Sequence, residues 1–442
     1  MSLSPGRALR IAHITPGAGG MVCGSCLHDN TLAAALEREG HQVALVPIYT
    51  PLRTDEEDVS LSRVFYGAVN IYLQQHSRLF RHTPWMLDRL LDRPGLLAWV
   101  GRRAGSVDAR QLGALTRSML EGEEGHQAKE LEKLVHWLGT GFRPDIVHLS
   151  NSLLLGLARR LREATGAPVV CSVQGEDLFV DELPAADRTA VTELLCRRAR
   201  DVDAFIAPGE AVARRMGARL GVEAERMHRV PLGIRLDGHV GTPRAVAVGA
   251  PFTIGYMARI CPEKGLHLLV DAFRRLADRG GERRIRLEVA GSIGPRDAAY
   301  LEGIRRQLDG WQLASSVVVH GEVDRAAKLA LLARADVVSV PATYPEAKGL
   351  YVLEALASGT PVVQPEAGAF PEILAGTGGG ILYDADRPGA LAQALEKMMT
   401  DDAERLALAR AGHAAVVARF SDTTMARTTV AVYEQILKGY GR

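Results

Sequence analysis

Ten short apolar runs, separated by stretches whose apolar residues recur every three or four positions, constrain this chain more than any other feature. The runs are LRIAHIT (9–15), HQVALVPI (41–48), PDIVHLS (144–150), APVVCSV (167–173), VDAFIAP (202–208), FTIGYMA (252–258), IRLEVAG (285–291), SVVVHG (316–321), DVVSVPA (336–342) and TPVVQP (360–365). They have strand length, and their apolar residues run on without strict alternation, as in strands covered on both faces. Segments such as SCLHDNTLAAALEREG and LHLLVDAFRRLADRG have the period of helices that could cover them. The order predicts an α/β chain of parallel, doubly wound sheets.

At 442 residues the chain exceeds one ordinary core, which points to two large units. The periodicity lapses in VPLGIRLDGHVGTPRAVAVGAP (230–251), rich in Gly, Pro and Ala, and the alternation then restarts. This predicts a first domain over 1–235 and a second over 236–421, both Rossmann-like. Two such sheets facing each other would turn the carboxyl ends of their strands toward one cleft, where such sheets bind ligands. Residues 51–140 interrupt the alternation and read as a helical insertion. Within it, 74–103 carries six Arg against two Asp among Leu, Phe and Trp. That is the composition of a basic amphipathic surface for peripheral membrane contact, or of helices packed on their own domain with Arg in solvent.

Composition excludes several classes. Hydrophobic residues at 47% and charged residues at 24% are those of a folded globular chain. A formal net charge of +1 provides no global field for nucleic acid. Five cysteines fit free thiols in a reducing compartment, and no apolar run reaches the roughly 18 residues of a membrane span, so a cytoplasmic location is expected.

Three motifs carry chemistry. PGAGG (16–20) follows the first strand, and its amides, Gly19 and Gly20 among them, could approach an anion at a helix start; a tight glycine turn is the plain alternative. Arg259 and Lys264, leaving the first strand of the second half, place two cations and a helix start where a diphosphate would bind. Glu346 and Glu354 flank the start of a further helix in YPEAKGLYVLEALASGTPVV (344–363). Glu354 falls beside Leu353, Leu356 and Ala357, so if buried it needs a partner. Cys23-x-x-Cys26 with His28 falls short of a four-ligand zinc set and lacks a redox context.

PGAGG, Arg259 to Gly265, HGEV (320–323), PEAKGLYVLEALASGTPVV and GAFPEI (368–373) together resemble the retaining glycosyltransferases of family GT4, glycogen-synthase and mannosyltransferase-like proteins of the two-domain GT-B fold. The resemblance covers nearly the whole chain apart from 51–140. It implies that Arg259 and Lys264 hold the donor diphosphate and that Glu354 accepts from the ribose hydroxyls. It also implies that Glu346 contacts the sugar, and that the amides of Lys348, Gly349, Leu350 and Tyr351 meet the sugar and the β-phosphate. The base would be read near His320 and Gly321, and the last helix, 422–442, would pack back on the first domain. No metal or other cofactor is implied, since Arg and Lys take that part. Where many relatives have a histidine, this chain has Gln174, which can hydrogen-bond the sugar but not carry a proton. At VPLGIR, Arg235 stands where an acid is frequent.

The expectation is therefore a hexosyltransferase using a UDP- or GDP-sugar by a metal-independent same-face mechanism. The acceptor, whether glycan, lipid-linked or small molecule, is left open, as is the oligomeric state. The rival readings are a GT-B epimerase or phosphorylase, and a non-catalytic carbohydrate-binding protein.

Overall fold

The computed structural model describes residues 7–17, 24–62, 64–65, 109–247, 249–279 and 283–440. Gly19, Gly20, Cys23 and the basic segment 74–103 lie outside them. The chain divides into two compact units, Met1–Pro231 with Met425–Arg442, and Leu232–Thr424.

The first unit is built on six parallel strands: β1 (Arg10–Thr15), β2 (Gln42–Pro47), β3 (Ile146–Leu149), β4 (Val169–Ser172), β5 (Ala204–Ala207) and β6 (Met227–Arg229). Their spatial order is β2-β1-β3-β4-β5-β6. The central strands β3, β4 and β5 are buried at every residue, which is why their sequences are apolar without alternation. The order reverses at β1, whose Ile11 pairs with Val43 on one side and Ile146 on the other. The late helix Asp422–Gly439 supplies Met425, Ala426, Val432, Tyr433 and Leu437 to the same core as Ile11, Leu36, Ile146 and Ile206. Within 51–140 the structure has helices at Ala109–Glu121 and Ala128–Trp137. The buried Arg198 guanidinium donates from Nε to the carbonyl of Leu120 (3.0 Å), satisfying one of the last carbonyls of the first of these.

The second unit also has six parallel strands: β7 (Phe252–Met257), β8 (Ile285–Ala290), β9 (Val317–Gly321), β10 (Val337–Val338), β11 (Val362–Pro365) and β12 (Gly380–Tyr383). They are ordered β12-β11-β10-β7-β8-β9. Counted from β7, this is the 6-5-4-1-2-3 order of a dinucleotide-type sheet, and the winding changes direction between β7 and β10. These two pair at Val337–Ile254 and Val338–Gly255. The doubly wound α/β expectation holds for both units. Strand extents differ in places. The run 336–342 forms a ladder over only two residues, because beyond Val338 the backbone turns out of the sheet, with Ala342 N bonded to Val340 O (2.8 Å).

Candidate active site

Loops leaving β7 and β10 meet at the reversal point of the second sheet, and glycine makes the approach possible. Gly265 (φ +70°) ends the β7 loop, and a Cβ there would sit 1.9 Å from the Pro341 carbonyl oxygen of the β10 loop. Thr343 N donates to Glu263 O (2.9 Å) across the same junction. A third loop joins at Gly368 (φ +60°), where a Cβ would lie 2.4 Å from the backbone N and O of Glu346. Ala369 N donates to Glu346 O (2.7 Å). The β7 loop thus packs on the loop that carries Glu346, and the Gly368–Ala369 segment holds the backbone of that glutamate.

Its side chain pairs with Lys264. The two form an ion pair, with 16% of the lysine side chain and 9% of the glutamate side chain exposed. Tyr344 OH donates to Glu346 Oε2 (3.1 Å) and Ala347 N to Oε1 (3.2 Å). The Lys264 ammonium also lies 5.0 Å from the Tyr344 ring centroid and 5.5 Å from that of Tyr351, within cation–π range. Burial works against charge on Lys264, but the Glu346 carboxylate outweighs it and the lysine titrates above its ordinary range. Burial likewise opposes the glutamate's charge, yet Lys264 holds its carboxyl below the usual range. Both stay ionised at neutral pH. Tyr344 is pushed up to about 12 by burial and by Glu346, and so remains a donor. The buried hydroxyl of Tyr351 has no hydrogen-bond partner among the described residues.

Arg259 stands in the same loop as Lys264. Its side chain is 46% exposed, with Nε on Cys261 Sγ (3.3 Å) and Nη2 3.8 Å from Glu263. A half-exposed guanidinium and a buried ammonium on one loop can together meet an anion. Next along, the helix Leu350–Ala357 starts at Gly349, with the Gly349, Leu350 and Tyr351 amides at its positive end. Lys348 N is turned toward Glu346 Oε1 (3.5 Å).

All eight residues of that helix are buried, Glu354 included. Its partner is Lys328, buried on the helix Arg325–Arg334, and the two form an ion pair at 8% side-chain exposure each. At the end of β9, His320 Nε2 lies 3.2 Å from Glu288 Oε2, a carboxylate that also receives Arg334 Nε (2.6 Å). Gly321 turns there with φ +71°.

Gln174 belongs to the first unit, just past β4. Its side-chain amide donates to Ser150 O (2.5 Å) and reaches Asp29 Oδ1 (3.3 Å). Asp29 is fully buried and accepts from Thr15 Oγ1 (2.7 Å). Burial opposes its charge, but the His28 hydrogen bond (3.1 Å), the neighbouring His13 and Thr15 lower it to about 2. His13 stacks on His148 with ring centroids 4.6 Å apart, and His148 Nδ1 is 2.7 Å from Tyr433 OH. Burial lowers His13 to about 4, so its ring is neutral. Cys26 is buried in the helix Gly24–Arg38.

Sequence reasoning missed Lys328, Tyr344 and the Asp29–His13–His148 group. Lys328 did leave a signal: it lies three and four positions before Leu331 and Leu332, on a buried helix face where a lysine needs a counter-charge.

Residues 244–414 match the family described as glycosyl transferases group 1, and 30–233 match the glycosyl transferase 4-like domain. The chain is 30% identical over 308 residues to the MMP alpha-(1->4)-mannosyltransferase of Mycolicibacterium hassiacum, covering 66% of this chain and 71% of that protein. It is 31% identical over 251 residues to the D-inositol 3-phosphate glycosyltransferase of Xylanimonas cellulosilytica, covering 53% and 58%. The match to relatives of the latter kind spans a little over half their length. Among solved structures, Anabaena Alr3699/HepE in complex with UDP shares the fold with a TM-score of 0.67 at 18% identity, over 97% of this chain and 100% of that one. Sucrose-phosphate synthase from Thermosynechococcus elongatus does so with a TM-score of 0.70 at 18% identity, over 97% and 99%. The likeness to these structures is one of fold, GT-B with two Rossmann-like domains.

Proposed function

Since the chain belongs to the group 1 glycosyltransferases, we propose that it moves a hexosyl unit from a UDP- or GDP-sugar to an acceptor hydroxyl with retention of anomeric configuration. The observation that carries this reading is the Lys264–Glu346 pair, buried beside a helix start at the reversal point of the second sheet.

In this reading Arg259, Lys264 and the amides of Lys348, Gly349, Leu350 and Tyr351 receive the diphosphate. They stabilise the charge that builds on it as the anomeric carbon–oxygen bond breaks. Glu346 faces the sugar and Glu354 the ribose, with the base near His320 and Gly321. The acceptor oxygen forms its bond on the face the phosphate leaves, and its proton passes to the departing phosphate oxygen. The protein's contribution is position and electrostatics, with two cations in place of a metal.

For the acceptor, relatives named for D-inositol 3-phosphate and for phosphatidyl-myo-inositol keep small-molecule and lipid-linked polyols alongside glycans. A lipid-linked acceptor suits peripheral contact through 74–103 at the inner face of a membrane. No helix among the described residues is long and apolar enough to cross one.

Incubating the protein with UDP-, GDP- and ADP-sugars tests the reading. Slow donor hydrolysis, or a melting temperature that rises with one donor, is expected. Silence toward every donor would refute it.

A further inference from the structure

We propose that Lys328 is a positioning residue for the nucleoside half of the donor: its ammonium holds the Glu354 carboxylate in one orientation, to accept from the paired hydroxyls of a ribose. This rests on the donor reading above, and it adds a residue that the motifs do not contain.

Glu354 is the one charged residue of the helix Leu350–Ala357, LYVLEALA, all of it buried. Left alone in such surroundings, a carboxylate is costly and would swing toward water. Lys328 holds it in place. Its own helix, Arg325–Arg334, begins at Asp324, whose side chain accepts from Ala327 N (2.8 Å), and it buries Leu331 and Leu332 together with Lys328. The helix start is thereby fixed, and the buried lysine side chain delivers its ammonium to Glu354 Oε1.

A buried pair of this kind contributes little stability beyond what an apolar pair of equal volume would give. Its distinct physical effect is to hold a negative charge at a set place. With Oε1 committed to the ammonium, Oε2 and the remaining lone pair of Oε1 offer two acceptor directions to a cis-diol. Hydrogen bonds to an ionised carboxylate are about twice as strong as neutral ones. Lys328 therefore acts on the ligand only through Glu354, and only on ligands that carry the diol.

The test is isothermal titration of the wild type, Lys328→Met and Lys328→Arg with UDP, GDP, their 2′,3′-dideoxy counterparts and inorganic pyrophosphate. The wild type is expected to bind one nucleoside diphosphate about tenfold more tightly than its dideoxy form. Lys328→Met removes that preference and weakens the ribonucleotide by about the same factor, leaving pyrophosphate affinity unchanged, and Lys328→Arg recovers most of the loss. An equal loss for pyrophosphate, or a Lys328→Met protein that still prefers the diol, overturns the inference. Should Lys328→Met not fold, the diol preference of the wild type and its retention in Lys328→Arg decide. A wild type that binds neither nucleotide overturns the donor reading itself, whereas one that binds nucleotide and ignores the diol overturns only the part assigned to Lys328.

Discussion

Replacing Lys264 by Met should leave Glu346 as a buried carboxylate without its counter-charge, and the size of the penalty follows from the surroundings. Both side chains are largely buried, at 16% and 9% exposure, and the Glu346 backbone is clamped by Gly368 and by the bond from Ala369, so the carboxylate cannot move out to water. Breaking a buried pair by removing one partner costs about 3–5 kcal/mol. The residual exposure of Lys264 argues for the lower end, to which the lost cation–π contacts with Tyr344 and Tyr351 add about 1 kcal/mol. A loss of about 3–4 kcal/mol from a unit spanning 232–424 lowers its melting temperature by roughly 10 °C. The double variant Lys264→Met/Glu346→Leu removes both charges at similar volume and should recover most of that stability, though not the transfer activity. Calorimetry on the wild type, both single variants and the double variant forms the cycle. A Lys264→Met protein within about 1 kcal/mol of wild type, or a double variant whose loss equals the sum of the singles, would refute the reasoning.

Three further predictions concern Glu346, His13 and Gly368. Glu346→Gln removes the charge that competes with phosphate for Lys264, so transfer should fall about a hundredfold while nucleoside diphosphate affinity holds or rises; a parallel fall in both, by kinetics and titration, speaks against separate sites for sugar and diphosphate. His13 is lowered from 6.5 to about 4 by burial, so its native form refuses a proton that the unfolded chain accepts. Stability of the first unit is then full above pH 6.5 and declines as pH falls toward 4, by about 3 kcal/mol from this residue, whereas Asp29, lowered to about 2, adds its loss only in stronger acid. Melting curves between pH 7.5 and 5 should show the decline, and a flat profile would count against a neutral buried ring. Gly368→Ala forces a Cβ to 2.4 Å from Glu346 at φ +60° and should cost about 2 kcal/mol as well as donor-dependent activity, read by melting and by turnover.

The parallel strands were legible because a strand covered on both faces must be apolar throughout, as at Val147, Val170 and Ile254. Two of the four edge strands, β6 and β12, were not. β6 is the three residues MHR, half-buried or exposed, and three of the four residues of β12 are only half-buried, so neither has the continuous apolar run that marks a central strand. The acidic and basic residues of the site were visible as residue types at turn and helix boundaries. Their pairing was not, since Lys264 and Glu346 are 82 positions apart and Lys328 and Glu354 are 26 apart, and only the tertiary fold brings each pair together. Gly368 was visible as part of GAFPEI, but that it exists to admit the Glu346 backbone depends on a third loop whose path no local pattern specifies.

The helix Asp422–Gly439 closes the core of a unit whose other elements all precede Leu232. During synthesis the first sheet must therefore wait, with Ile11, Leu36 and Ile206 lacking their last apolar neighbours, until the entire 232–424 segment has emerged from the ribosome. A fragment ended at the first unit's boundary would expose that seam, and would strand His148 without the phenol of Tyr433. Folding order in this chain thus runs against reading order: the later-made globule can finish while the earlier one is still open.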